Sequence, residues 1–262
     1  MEWLEAVILG LIQGLTEFIP ISSSGHIVVA QTFISGASDH LFLEFINVGT
    51  VLALVVFFRH HIRHIAKDVL INGNYRLARN ILLTALPAGL VGLALAGVIS
   101  STPFFASAVT VVFTLLIVGV VMIIVDRLPH ASKVETGEKL SVRRALIIGM
   151  VQVLALIPGT SRSGATILAG RFAGLSSNKA AEYSFLVSIP IMIGVTLKLF
   201  LFDFDYLRDN AGIFVLSNTV AFISGLIAVG FLMRYLSRHS LAVFGWYRVG
   251  LALVVATILL IQ

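Results

Sequence analysis

The hydrophobic pattern divides the chain into two similar halves, each ending in three long apolar segments. These six segments cover residues 41–58, 80–99, 104–125, 180–201, 213–235 and 241–261. A helix needs about 20 mostly apolar residues to cross the hydrocarbon core of a bilayer, and segments of this kind approach or reach that length. The pattern therefore predicts an all-α polytopic membrane protein with six full spans.

A different pattern precedes each set of three spans, namely an apolar stretch interrupted by Pro, Gly and hydroxyl residues. Residues 2–19 and 27–35 are separated by "PISSSG", and residues 144–157 and 165–173 are separated by "PGTSRSG". Such clusters end a helix, and the pieces on either side are mostly too short to span. We therefore predict two re-entrant helical hairpins, each with its tip inside the membrane.

The two interruptions resemble each other when the sequence is shifted by 139 residues. The shift superimposes identical residues, namely Gly10 on Gly149, Gln13 on Gln152, Ser22 on Ser161, Ser24 on Ser163 and Gly25 on Gly164. We interpret the chain as one integral membrane domain, residues 1–262, built from a duplicated half at about 1–126 and about 140–262.

Composition agrees with a membrane protein and excludes other classes. Hydrophobic residues make up 58% of the chain and charged residues 12%, whereas soluble domains carry about 25% charged residues. The absence of cysteine excludes disulfide and thiol chemistry. Glu2 and Glu5 are unlike the basic start of a signal peptide, so we expect the first helix to remain.

Basic residues are concentrated in loops that the predicted spans place on one side of the membrane. These loops are 59–79 and 126–144, and Arg234 and Arg238 follow the fifth span. The positive-inside rule assigns that side to the cytoplasm, which explains the net charge of +5 better than nucleic-acid binding does. A re-entrant hairpin returns to its own side, so each half crosses an odd number of times. We therefore expect an inverted-topology repeat whose two tips meet near the middle of the bilayer.

Both tips carry polar groups that are costly inside a membrane and are usually functional there. They are Glu17, Ser22, Ser23, Ser24 and His26 at the first tip, and Thr160, Ser161, Arg162, Ser163 and Thr166 at the second. Hydroxyls, helix N-terminal N–H groups and the guanidinium of Arg162 favour a phosphate. A carboxylate, a hydroxyl, an imidazole and an arginine together fit phosphoryl transfer.

Several of these residues also have a purely structural interpretation. Ser22 and Ser163 can satisfy backbone groups. His26 can cap a helix, and Glu17 can act only as the ion-pair partner of Arg162.

Two further polar residues lie outside the tips. Gln13, one turn before Glu17 on the same helix face, can either hold a ligand or orient that carboxylate. Arg248 lies within the last span, where we expect it to snorkel or to pair with another helix.

The motifs "QGLTEFIPISSSGH" and "PGTSRSGAT" resemble the two signature motifs of the undecaprenyl-diphosphate phosphatases, the bacitracin-resistance family. The resemblance extends over essentially the whole chain, including "LEFINVGTVLALVVFF" and "AAEYSFLVSIPIMIGV". It implies a plasma-membrane enzyme of interdigitated inverted repeats. Such an enzyme removes the terminal phosphate of undecaprenyl diphosphate at the outer face and recycles the lipid carrier for peptidoglycan synthesis. It also implies a divalent cation, Mg²⁺ or Ca²⁺.

The resemblance further implies a role for each matching residue. The catalytic residues would be Glu17, Ser23, His26 and Arg162. The phosphate-binding residues would be Ser22, Ser24, Thr160, Ser161, Ser163 and Thr166. The metal ligands would be Glu17 and Gln13. Many relatives have glutamate where this chain has Gln13, so Glu17 is the carboxylate we expect to act. Ser23 is our preferred nucleophile, with His26 and a metal-bound water as the alternatives.

The competing interpretation is transport, because broken helices in inverted repeats are typical of secondary transporters. The chain would then be a polyprenyl-phosphate flippase. The density of reactive side chains favours the enzyme.

We expect a polyprenyl diphosphate lipid and the bilayer as partners, and no nucleic acid. The small residues of "PAGLVGLALAG" permit close helix packing, and a homodimer is one partner arrangement that would use them.

Overall fold

The computed structural model describes residues 2–34, 37, 39–128 and 132–261. Residue 35 of the first predicted hairpin and residues 129–131 of the second basic loop lie outside the described residues. Within the described part, the regular elements are helices, together with one isolated bridge between Val134 and Leu175. The α-helices are α1 (Trp3–Phe18), α2 (Ser23–Gln31), α3 (His40–Phe45), α4 (Asn47–Phe57), α5 (Arg59–Leu70), α6 (Arg76–Ala94), α7 (Ala96–Ser101), α8 (Pro103–Ala106), α9 (Ala108–Arg127), α10 (Val142–Val153), α11 (Arg162–Phe172), α12 (Ser177–Phe202), α13 (Phe204–Asp209), α14 (Ala211–Leu236) and α15 (Ala242–Ile261).

Six helical segments of the described chain are long and apolar enough to cross a membrane. They are His40–Phe57 (α3 with α4), α6, α9, α12, α14 and α15, one at each position predicted from the hydrophobic pattern. The prediction of an all-α protein with six spans is therefore confirmed. The predicted ends were less accurate, since α12 and α14 each extend to 26 residues.

The outer faces of these helices carry large apolar side chains. Leu82, Phe113 and Leu253 are 60%, 60% and 61% exposed, and many similar residues surround them. A continuous apolar surface of this extent needs a cover other than water. Together with the six spans, it makes the chain a multi-pass membrane protein.

Helices of each half pack against helices of the other half, and the contacts are reciprocal. α1 packs along α14 and α10 packs along α6, so the first helix of each half lies against the second span of the other half. In the same way α2 contacts α15, and α11 contacts α9. Such reciprocal packing is what two copies of one unit give when a two-fold axis relates them. The opposite membrane orientation of the halves, and their boundaries, stay predictions.

The crossing of α1 and α14 depends on a glycine. A Cβ atom at Gly14 would lie 2.0 Å from the Oγ atom of Ser224, so a larger residue would push the helices apart. Because Glu17 follows Gly14 by almost one turn, this close crossing places the carboxylate inside the protein.

Candidate active site at two helix breaks

The helices after the two breaks begin earlier than the sequence predicted, at Ser23 and Arg162, and the breaks share one backbone conformation. Ser22 and Ser161 have φ values of 73° and 68°, and they are the non-glycine residues of the described chain with positive φ. Each then caps the next helix, with its hydroxyl accepting the N–H of Gly25 or Gly164. Strain of this kind costs about 1–3 kcal/mol and is concentrated at functional sites. Because the caps start α2 and α11 within the motifs, two helix N-termini are formed there.

The two breaks are in direct contact. The hydroxyl of Ser24 lies 3.0 Å from that of Ser22 and accepts the N–H of Gly159 at 2.9 Å. In the second break Ser161 and Ser163 form the equivalent hydroxyl pair at 3.1 Å. The structure therefore joins the motifs that lie far apart in the sequence.

Glu17 connects the reactive groups of both breaks. Its Oε1 atom accepts a hydrogen bond from Nη2 of Arg162 at 2.8 Å. Its Oε2 atom accepts hydrogen bonds from the Ser23 hydroxyl at 3.2 Å and from Nε2 of Gln13 at 2.8 Å. The side chains of Glu17 and Arg162 are only 15% and 18% exposed, so solvent screens this pair weakly. The carboxylate is thus placed to take a proton from Ser23.

The side-chain amide of Asn47 sets the orientation of the Gln13 side chain. Asn47 donates its Nδ2 hydrogen to the carbonyl of Leu43 at 3.0 Å, which leaves its Oδ1 atom facing Gln13. Nε2 of Gln13 donates to that oxygen at 2.6 Å and also to Glu17. With Nε2 facing Glu17, this geometry supports an orienting role for Gln13, and its metal-binding role stays a prediction. Asn47 was missed by the sequence reasoning, although an amide within an apolar span is a detectable signal.

A cavity of about 360 Å³ lies where the two breaks meet. It is lined by Glu17, Ser22, Ser23, Ser24, Ala155, Ile157, Pro158, Gly159, Ser161 and Arg162. The N-termini of α2 and α11 open onto it, and first-turn N–H groups have no partner within their own helix. Glu17 balances the charge of Arg162, so the two helix dipoles and the remaining N–H groups of Arg162 are what favour an anion in this cavity.

His26 is directed to other partners. Its Nδ1 atom lies 2.8 Å from the carbonyl oxygen of Ser22 and must donate, because a carbonyl only accepts. In the neutral ring Nε2 then accepts from the Tyr247 hydroxyl at 2.8 Å, and the two rings stack. His26 is not among the residues that line the cavity. The geometry offers it a role in fixing the first break, and the proton transfer expected from the sequence stays a prediction.

Three predicted phosphate-binding residues also lie outside the cavity lining. Thr166 is buried, donates to the carbonyl of Arg162 at 2.8 Å and contacts the hydroxyl of Ser184. Ser163 is buried in its pair with Ser161. Thr160 is buried and faces a different cavity, on the other side of the second break.

Comparison with known proteins gives the same assignment as the two motifs. The family model described as bacitracin resistance protein BacA matches residues 6–254. The chain belongs to the bacitracin-resistance family. It is 37% identical to the undecaprenyl-diphosphatase of Nitrosospira multiformis over 262 residues, covering 97% of this chain and 95% of that protein. The undecaprenyl-diphosphatases of Nitrosomonas eutropha and Acetivibrio thermocellus are 38% and 37% identical, each over 97% of this chain. The family resemblance predicted from the sequence is confirmed.

In this member of the bacitracin-resistance family, a buried arginine holds both breaks. Arg248 of α15 is fully buried and donates to the carbonyls of Pro20 at 3.3 Å and Thr160 at 3.0 Å. It also donates to the carbonyl of Gly159. These partners are backbone groups of the first and second breaks. From the sequence we expect Arg248 to snorkel or to pair with another helix, and its charge within a span is the signal that marks it.

The donor set bears on the metal expected for the bacitracin-resistance family. The described residues contain no group of three His, Cys, Asp or Glu side chains that could hold a metal ion. Glu17 is the carboxylate that lines the cavity. Mg²⁺ is commonly held by one or two carboxylates together with substrate phosphates, and it retains several waters. A cation that binds together with a diphosphate would therefore find one protein carboxylate here, that of Glu17.

Proposed function

We propose that this chain is an undecaprenyl-diphosphatase, which hydrolyses the terminal phosphate of undecaprenyl diphosphate to the monophosphate carrier and inorganic phosphate. The observation that carries the proposal is the single cavity onto which two helix N-termini, Arg162 and the Ser23–Glu17 pair all open. Membership of the bacitracin-resistance family and the names of its relatives support the substrate.

The terminal phosphate would bind between the two helix N-termini. Free N–H groups at the starts of α2 and α11 would contact its oxygens, and the helix dipoles would stabilise its charge. Arg162 uses one N–H on Glu17, and a guanidinium has five donors in a planar fork. Its remaining N–H groups would bind phosphate oxygens and stabilise the charge that develops in the transition state.

Ser23 is the nucleophile that the geometry favours. Its oxygen attacks the terminal phosphorus while its proton passes to Oε2 of Glu17, and the bond from phosphorus to the bridging oxygen breaks. Undecaprenyl monophosphate leaves with that oxygen. Water then attacks the phosphoserine, inorganic phosphate is released, and the Ser23 oxygen regains a proton from Glu17. His26 is less suitable, since both of its ring nitrogens have other partners.

A Mg²⁺ or Ca²⁺ ion bound with the diphosphate would neutralise charge on its oxygens. Glu17 would then serve both as a ligand and as the proton acceptor. A carboxylate has about four lone-pair sites, and Arg162, Ser23 and Gln13 use three of them, so one would remain for the ion.

The proposed location is the plasma (inner) membrane, with the active site opening to the outer, periplasmic face. The carrier would be recycled for peptidoglycan synthesis, and the activity would confer resistance to bacitracin. The basic residues of α5 and of the loop after α9 support a cytoplasmic position for that side. The reciprocal packing of the two halves supports an inverted repeat with re-entrant hairpins.

Two further expectations concern transport and assembly. The relatives are named as diphosphatases, so the alternative of a polyprenyl-phosphate flippase is not favoured. A homodimer stays a prediction. The face of α6 that carries Gly89 is open, since no other helix of the described chain comes within 4 Å of the position a Cβ would take there, and a second copy could pack against it.

Release of inorganic phosphate by the purified protein in detergent tests the activity, with and without Mg²⁺. Detergent micelles have no compartments, so transport alone cannot produce this signal. Glu17→Gln and Arg162→Ala should abolish release, whereas Glu44→Gln, which changes an exposed carboxylate of the first span, should not. Absence of release from folded wild-type protein, or full release by Glu17→Gln, would refute the proposal.

A further inference from the structure

A second, larger cavity lies on the opposite side of the second break. It forms a groove of about 850 Å³ between α9, α10 and α11. Ile117, Ile147 and Phe172 line it and are 61%, 50% and 67% exposed, so the groove is open at the apolar surface of the protein. A groove of this kind is open to the hydrocarbon of the bilayer rather than to water.

One end of the groove is strongly basic. Lys139, Arg143 and Arg144 line it there. Lys139 pairs with Glu135, whereas the ion pairs of the described chain include neither arginine. Two exposed guanidinium groups thus lie beside an apolar channel without a protein anion to neutralise them.

The basic end is anchored to the helices around it. The buried side chain of Asn80 donates to the carbonyls of Gly137 and Leu140 at 3.0 and 2.9 Å. The hydroxyl of Ser141 accepts the backbone N–H of Arg144 and caps α10. The loop and the helix start that carry the three cations therefore have a fixed position relative to the groove.

The groove is separate from the candidate active site. Leu154 and Thr160 line the groove, whereas their neighbours Ala155 and Ser161 line the catalytic cavity. The second break therefore separates the two cavities. Arg162 and Glu17 belong to the catalytic one alone.

We propose that this groove binds an anionic glycerophospholipid of the leaflet on the basic side. Its phosphate would lie between Arg143, Arg144 and Lys139, and an acyl chain would lie along α9 and α11. Basic pockets between membrane helices on the cytoplasmic side are typical binding places of anionic lipid headgroups. The volume lies within the range of roughly 300–1,000 Å³ of ligand pockets. A zwitterionic lipid lacks the net charge to match this rim, and free phosphate would leave the apolar channel unused.

Native mass spectrometry of the detergent-purified protein tests the proposal, with phosphatidylglycerol and phosphatidylcholine of identical acyl chains. The double variant Arg143→Gln/Arg144→Gln should bind phosphatidylglycerol about 30-fold more weakly than the wild type. The matched control Arg234→Gln/Arg238→Gln removes two exposed arginines from the same basic side and should bind it normally. Phosphatidylcholine should bind weakly to all three proteins.

Other occupants give distinguishable results. Equal binding of phosphatidylglycerol to both double variants would overturn the proposal. Displacement of that lipid by inorganic phosphate would also overturn it, because the apolar channel would then have no role. Displacement by a polyprenyl monophosphate at an equal or lower concentration would likewise overturn it, because the groove would then be a site for the substrate chain. Phosphate release in detergent should be unchanged in Arg143→Gln/Arg144→Gln, so the result does not depend on the catalytic proposal.

Discussion

Replacing Arg248 with methionine should impair catalysis although the residue lies far from both motifs in the sequence. The guanidinium donates to three backbone carbonyls, those of Pro20, Gly159 and Thr160. Hydrogen bonds between membrane helices contribute about 0.6 kcal/mol on average and up to about 1.7 kcal/mol. Three such bonds therefore hold the two breaks together with about 2–5 kcal/mol. If this free energy keeps the breaks in their reactive arrangement, its loss lowers kcat by about 30-fold to several thousand-fold.

The assay is steady-state phosphate release, normalised to the folded fraction measured by size-exclusion chromatography. Arg248→Lys should recover part of the activity, because lysine keeps the charge but loses the planar fork. Arg234→Met, at an exposed arginine, should behave like the wild type. A positioning role predicts that kcat falls per folded molecule. Wild-type kcat in folded Arg248→Met would refute the reasoning, even if its melting temperature were lower.

Three further substitutions test other contacts of the site. Ser24→Ala removes the acceptor for the N–H of Gly159. Because one contact between the breaks is then lost, kcat should fall about tenfold. An unchanged kcat would show that the contact is dispensable. Gly159→Ala should lower the free energy of unfolding by about 1–3 kcal/mol in a thermal or denaturant titration. The reason is that Gly159 has a φ of 85°, and a Cβ there would lie 2.0 Å from Oγ1 of Thr114. An unchanged melting temperature would contradict this. Tyr247→Phe removes the donor to Nε2 of His26. It should lower kcat less than tenfold, since the contact of Nδ1 with the Ser22 carbonyl remains. A loss of several hundredfold in kcat would assign His26 a direct chemical role.

The spans could be predicted from the sequence because the bilayer imposes a length on every apolar helix. Their ends could not, since α12 and α14 begin three and two residues before the apolar segments, and the side chain of Ser176 caps α12. The breaks lie near their predicted positions, but α2 and α11 begin four and three residues earlier than predicted. Ser22 and Ser161 cap their helices from a left-handed conformation, so the helices restart within the motifs.

The Ser23–Glu17–Arg162 cluster could be predicted because intramembrane ionisable groups are costly and usually functional. The contact of His26 with Tyr247 and the contacts of Arg248 with the two breaks could not be predicted. Both depend on α15 packing beside the two breaks, and a hydrophobic pattern does not specify which helices are neighbours. Residue type therefore identified the chemistry, while tertiary packing decided which predicted residues reach the cavity.

The turnover of Ser23→Ala tests the central claim most directly, namely that Ser23 attacks phosphorus with Glu17 as its base. Phosphate release from undecaprenyl diphosphate should fall at least about a thousandfold, as when a catalytic nucleophile is removed. Ser100→Ala, at an exposed hydroxyl, serves as the control and should keep full turnover. Near-wild-type turnover of folded Ser23→Ala would contradict the account and leave His26 or a water molecule as the nucleophile.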